Sequence, residues 1–230
     1  MTRILAIEAA TEACSAALLI DDTVHERFEV APRQHVALML PFVEALLSDA
    51  GTSLGQLDAV AFGRGPGSFT GVRIAAGITQ GIAFGADLPV IPVSTLAALA
   101  QGAVREHGAA AVLAALDARM QEVYWGAFRS DAKGLVESVN EECVCAPENV
   151  ECPQQDGWVG AGSGWDRYAG ILAPRCSISA TGIYAKQQPH AADVARLAAR
   201  AFAQGEVLAP EQALPVYLRD NVAHKPKPKV

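Results

Sequence analysis

An α/β fold made of two lobes of like topology is what the sequence predicts. Three observations lead there. Apolar runs of strand length alternate with helix-length segments, and the opening strand pattern returns once at a constant offset. In addition, 51% hydrophobic and 19% charged side chains over 230 residues supply a sizeable core. The same composition excludes a wholly disordered chain.

Residues 3–8 form a β-rich apolar run, 9–13 a small-residue turn and 14–20 a second run. Asp21-Asp22 supplies a tight turn, and 24–30 alternates as a third strand. Pro32 ends the sheet segment; 35–50 then has helical spacing, with Gly51 as its stop and Pro41 predicting a kink or a later start. A short buried strand at 59–62 leads into the glycine-rich stretch 63–71, after which the pattern is helical to Phe84. Residues 90–93 read as another strand, and Ser94 caps a helix running to about His107.

The pattern then begins again. Ile4-Leu5-Ala6-Ile7-Glu8 matches Leu113-Ala114-Ala115-Leu116-Asp117 without a gap, at an offset of 109. In both copies an apolar strand ends in one carboxylate before a short turn (9–13 and 118–122) and a second strand (14–19 and 123–128). Any two β-hairpins share some of this likeness; the sharper reading is a duplication of ββαβ-type halves meeting at a cleft that Glu8 and Asp117 face. That is the two-lobe plan of actin-like ATPases. It divides the chain into a first lobe at 1–108 and a second at 109–223, whose last segment is free to pack back on the first. Within the second lobe, 135–145 reads as a strand, 147–156 as a loop, 158–168 as glycine-rich turns passing close to the cleft, and 191–204 as an alanine-rich helix. The tail 224–230, with Lys225, Lys227 and Lys229, lacks core-forming residues before Val230 and reads as disordered.

Eighteen basic against twenty-five acidic residues give a net charge of −7. Phosphate neutralisation by Lys and Arg carries most nucleic-acid affinity, so a chain this acidic is not expected to hold RNA by itself. Five cysteines, no secretory signal and no apolar run of about 18 residues read as a cytoplasmic protein with reduced thiols. Cys143-x-Cys145 resembles half a metal site, but no second pair or His cluster completes it.

The glycine-rich segment Gly63-Arg64-Gly65-Pro66-Gly67-Ser68-Phe69-Thr70-Gly71-Val72-Arg73 opens a helix. Such a turn aims backbone N–H groups at one point, which suits an anion, though a strand-to-helix connection capped by Ser68 or Thr70 has the same look. It lacks the Gly-Lys-Ser/Thr ending of a P-loop and the spacing of a dinucleotide fingerprint. The five histidines never fall four apart, and no Gly-x-Ser-x-Gly elbow appears. No catalytic residue is assigned. The helices, in contrast, carry apolar surplus. Val36, Leu38, Met39, Leu40, Phe42, Val43, Leu46 and Leu47 surround most of one helix, where a stripe of about 100° is enough for its own core. Gly77, Gly81 and Gly85 form a bare ridge on the next, at about 0.5–1 kcal/mol each relative to alanine. Packing against the chain's own sheet and docking of another protein both offset that cost.

Together, Ile4-Leu5-Ala6-Ile7, Ala9 to Ser15, Gly63 to Arg73, Asp117-Ala118-Arg119-Met120 with Glu122-Val123-Tyr124, and Pro215-Val216-Tyr217-Leu218-Arg219 resemble the bacterial TsaB (YeaZ) family over nearly the whole chain. The resemblance implies an actin-like fold and a role in making N6-threonylcarbamoyladenosine beside the anticodon of tRNAs that read codons beginning with A. It also implies a non-catalytic subunit that pairs with a paralogue, TsaD, and works with a small ATPase, TsaE. ATP or ADP and a metal are then held mainly by the paralogue and none by this chain alone. Carried over residue by residue, the pairing surface is Leu38, Met39, Phe42, Leu46, Ile74, Gly77, Ile78, Gly81 and Ile82, with homodimers when the partner is absent. A further expectation places a nucleotide at the heterodimer junction, on Gly65, Gly67, Ser68, Thr70 and Arg73. The family usually has Asp where this chain has Glu8, which argues against actin-type metal coordination there. The competing reading is an actin-fold enzyme acting alone, a small-molecule kinase or a peptidase. It calls for a metal clamp or an activated nucleophile that no motif supplies.

Overall fold

The structure, a computed structural model, describes residues 2–154 and 157–219; the basic tail expected at 224–230 and the end of the second lobe at 220–223 lie outside the described residues. β1 (Arg3–Glu8), β2 (Ala13–Ile20) and β3 (Thr23–Val30) form an antiparallel meander. α1 (His35–Asp49) leads to β4 (Ala59–Gly63), α2 (Phe69–Ala86) to β5 (Val90–Val93), and both of these strands run parallel to β1. The resulting order is β3-β2-β1-β4-β5. Ile4, Leu5, Ala6 and Ile7 are all fully buried, because the sheet is covered on both faces and its central strands therefore read as continuous apolar runs. β3 alternates instead, as an edge strand with one wet face does. α1 runs through Pro41 as one helix, so the expected kink or late start is absent.

α3 (Thr95–His107) is capped by Ser94, whose Oγ accepts from the N–H groups of Leu96 and Ala97 at 3.1 and 3.2 Å. The second sheet follows: β6 (Ala111–Arg119), β7 (Glu122–Ser130), β8 (Val136–Ser138), β9 (Cys143–Cys145), β10 (Trp158–Ala161) and β11 (Ile183–Tyr184). Its order is β11-β10-β6-β7-β8, with β9 also on β7. Read from the other edge this is the first sheet's order, with β6 in the place of β1 and β10 in the place of β4, as a duplicated half requires. α4 (Ser163–Arg175) follows β10, and α5 (Ala191–Ala203) closes the helical layers.

The helices do not keep to their own sheets. α3 packs on β6 and β7, while α5 returns to β1, β2, β4 and β5, so one apolar core continues through both sheets. Asp193 of α5, fully buried, accepts from Arg105 Nε and Nη2 of α3 at 2.9 and 2.8 Å. A fork-to-fork pair of this kind fixes the crossing of the two helices in angle as well as distance.

Three expectations need correction. The strand at 135–145 is two short strands, because Asn140 Oδ1 takes the Ala127 N–H at 2.8 Å and breaks the ladder between them. The glycine-rich segment 158–168 is β10 and the start of α4. Its glycines serve close packing: a Cβ on Gly160 would stand 2.5 Å from the Trp165 indole, whose Nε1 donates to Leu113 O at 2.8 Å. Finally, the thiols are not all reduced. Cys152 and Cys176, 24 residues apart, form a disulfide that ties the loop before β10 to the end of α4. No helix among the described residues is long and apolar enough to cross a membrane.

Candidate functional site

The glycine-rich turn between β4 and α2 is wedged against the β1–β2 turn. Ser68 N–H donates to Ala10 O at 2.7 Å, and a Cβ on Gly67 or Gly71 would stand 2.5 Å from Ala10 O or 1.9 Å from Ala9 O. Ser68 Oγ caps α2 by accepting from Gly71 N–H at 3.4 Å. On the other side, Gly65 O accepts from Thr95 N–H at 3.0 Å, and Arg64 O from Val216 N–H at 2.8 Å. Gly65 has φ +99° and precedes a cis peptide to Pro66. Of the residues expected to hold a nucleotide, Gly65, Gly67 and Ser68 are thus engaged within the chain, and two N–H groups suited to an anion are already spent. Thr70 and Arg73 face solvent. The Arg73 guanidinium lies 3.2 Å from the centroid of the Phe69 ring and 5.0 Å from that of Tyr217, and donates to Phe69 O at 3.1 Å.

The two carboxylates of the repeat have different surroundings. Glu8 is fully buried. It accepts from Ala10 N–H at 2.6 Å and Thr95 Oγ–H at 3.3 Å, and its carboxylate occupies the space that a Cβ on Gly63 would fill. Burial pushes it up to about 7, against the lowering by those two hydrogen bonds, the Ala9 amide and the field of His190. Asp117 accepts from Arg119 at 3.1 Å and Arg167 at 3.2 Å, and its own N–H donates to Ser163 Oγ. Glu8 is enclosed and Asp117 is matched by two guanidinium groups; both therefore satisfy their carboxylates within the chain. Among the described residues no group of three or more His, Cys, Asp and Glu side chains is arranged to hold a metal ion.

The outer face of α1 and α2 is where apolar surface meets water. Gly77, Gly81 and Gly85 are exposed, and a Cβ on any of them would meet nothing within 4 Å, so the ridge is not spent on the chain's own sheet. Beside it Phe84 is 61% exposed, and on α1 Val36 and Leu40 are 69% and 49% exposed. Leu38, Phe42, Ile74 and Ile78 are half-buried at its border. Met39, Leu46 and Ile82 belong to the chain's own core, which corrects their placement on the pairing surface. The reason is helical phase: Met39, Val43 and Leu46 form the inward stripe of α1, and Val36 and Leu40 lie along one flank of that stripe, turned to water.

The comparisons with known proteins bear on the whole chain. The family profile described as "TsaD: tRNA N6-adenosine threonylcarbamoyltransferase" matches residues 19–227. The tRNA threonylcarbamoyladenosine biosynthesis protein TsaB of Escherichia coli is 48% identical over 229 residues, covering 98% of each chain. Its counterpart from Haemophilus influenzae is 41% identical over 98% of this chain and 97% of its own. The chain belongs to the TsaB family. The solved structure of YeaZ from Pseudomonas aeruginosa superposes with a TM-score of 0.87 at 47% identity, over 95% of this chain and 100% of that one. The TsaB fold is actin-like, as the repeated sheet order requires.

Within this TsaB-family chain, the pairing surface carried over by resemblance omitted Val36, Leu40, Phe84 and Gly85, although the apolar surplus of α1 and the glycine ridge of α2 already contained Val36, Leu40 and Gly85. A signal for them was present. Gly85 continues the four-residue glycine spacing, Phe84 lies seven residues from Gly77 on the same face of α2, and Val36 and Leu40 are four apart on α1 beside the stripe of Met39 and Val43. What was absent is any local mark of which part of the apolar circumference faces the sheet.

Proposed function

We propose that the chain is the non-catalytic subunit of the assembly that makes N6-threonylcarbamoyladenosine next to the anticodon of tRNAs reading codons that begin with A. It pairs with a TsaD-type paralogue through the outer face of α1 and α2, works with the ATPase TsaE, and self-associates through the same face when alone. The observation that carries this reading is the exposed glycine ridge of α2 with Phe84 beside it, together with the exposed Val36 and Leu40 of α1. Three bare helix positions cost stability in water, and close approach of another helix is the usual compensation. The internally satisfied Glu8 and Asp117 fit a chain that leaves nucleotide and metal to its partner. A net charge of −7 fits tRNA held mainly by other subunits.

The test is reconstitution with the paralogue, ATP, the threonylcarbamoyl donor and tRNA, with and without this chain. Modified tRNA should appear only when the chain is present; substrate turnover by the chain alone would favour the solitary kinase or peptidase instead. Gly81→Leu projects a side chain into open space, so the variant should fold normally while its association weakens by at least about tenfold. Light scattering and co-purification with the paralogue measure that, and unchanged pairing would remove the helical face from the account. For a nucleotide at the junction, Ser68, Thr70 and Arg73 are the exposed residues among those expected to hold it. Calorimetry of the complex carrying Arg73→Ala should show weaker nucleotide binding, and equal affinity would exclude that role.

A further inference from the structure

Four of the five cysteines lie in the second lobe, and all four pack at the edge of one apolar cluster around Trp125 and Trp165. Cys143 and Cys145 are alternate residues of β9, opposite Trp125 and Val123 of β7, so their side chains leave the same face of the strand. Their sulfurs stand 3.9 Å apart, in hydrogen-bond contact, and both residues are partly exposed. The Cys152–Cys176 disulfide packs against the same cluster. The carboxylate of Glu151, the residue before Cys152, acts on Cys143, and the guanidinium of Arg175, the residue before Cys176, acts on Cys145. The fifth, Cys14, is buried in β2.

Paired thiols give up their first proton more easily than isolated ones, because the remaining S–H donates to the thiolate. Here that bond lowers Cys143 to about 7, against burial and the Glu151 carboxylate, while Cys145 is pushed up. Burial and Glu29 push Cys14 up as well, so it stays a protonated thiol. The chain thus holds one nucleophilic sulfur with a second in reach to resolve its adducts, the arrangement that two-step disulfide formation needs. Glu142, next to Cys143, accepts from Ser94 Oγ–H and stands 3.9 Å from Arg64 of the glycine-rich turn. The pair therefore borders a contact joining the second lobe to the first.

We propose that Cys143 and Cys145 form a thiol-oxidation site that takes low-molecular-weight disulfides of the glutathione class. The Cys143 thiolate attacks one sulfur of the oxidised disulfide, forms a mixed disulfide and expels one thiolate, which takes up a proton. Cys145, after losing its proton to solvent, attacks Cys143 Sγ, closes the Cys143–Cys145 bond and expels the second thiolate. Two protein thiols lose two electrons and two protons, and the small disulfide becomes two thiols.

The full chain, equilibrated in buffers of increasing oxidised-to-reduced glutathione ratio, alkylated and read by peptide-resolved mass spectrometry, tests this. Cys143 and Cys145 should lose alkylation together and gain a bond, their peptide becoming about 2 Da lighter than the dithiol form. Cys14 should stay fully alkylatable after denaturation. Cys145→Ser should stop at a glutathione adduct on Cys143, and Cys143→Ser should slow adduct formation at Cys145 by about tenfold or more. Independent alkylation of both thiols at every ratio, or equally fast adduct formation at Cys145 in the Cys143→Ser variant, would overturn the proposal. So would zinc retained by the reduced chain and shielding both thiols.

Discussion

Gly71→Ala is expected to destabilise the chain by more than about 3 kcal/mol, enough to leave little folded protein. Alanine is ordinarily the better residue inside a helix, by up to about 1 kcal/mol. At this position, however, its Cβ would sit 1.9 Å from Ala9 O, and the obstacle is backbone held in the β1–β2 turn. Relief requires α2 to move off the sheet, which also breaks the Ser68 N–H bond to Ala10 O, a further loss of about 1 kcal/mol. Gly77→Ala, six residues along the same helix in open space, should instead stabilise by about 0.5–1 kcal/mol. Urea denaturation of the two variants side by side checks both signs. Equal effects would mean that the wedge between the two turns is not what the glycine serves.

Glu8→Gln should stabilise the chain by about 3 kcal/mol at pH 8 and by little at pH 4.5 or below. Glu8 stands at about 7 in the folded chain against 4.5 for an exposed glutamate. Between those values the folded state binds more protons than the unfolded one, so wild-type stability falls as pH rises through the window. Below it Glu8 is a neutral acid in both states, and Gln is its near isostere. Above it the wild type carries a buried carboxylate that no cation among the described residues hydrogen-bonds, which Gln relieves while its amide oxygen still accepts from Ala10 N–H. Denaturation curves at pH 5 and pH 8 measure the divergence. A wild type that gains stability relative to Glu8→Gln over this range would refute the buried-acid account.

Both predictions concern places where two segments far apart in sequence meet, and there the sequence is least explicit. The spacing of Gly67 and Gly71 marks close approach of something without saying what approaches; an anion and the Ala9–Ala10 backbone ask for the same bare residues. Likewise Glu8 reads as an end-of-strand carboxylate facing a cleft, and only its neighbours Thr95, Gly63 and Ala10 show that it is enclosed. Cys152 and Cys176 pair because α4 brings its end back to the loop before β10, a closure that spacing does not specify.

The order of strands and helices through the first lobe, the duplication and the family were decided by sequence alone, because periodicity, turn residues and repeated segments are properties of neighbouring positions along one chain. The sequence also marked apolar residues around most of α1 and a bare ridge on α2. Which apolar residues of α1 turned inward, which glycines met backbone and which met water, and whether each carboxylate found a partner were decided by tertiary structure. Those outcomes depend on what packs across a gap of a few ångströms, and no local pattern encodes the identity of a neighbour that folding brings from a hundred residues away.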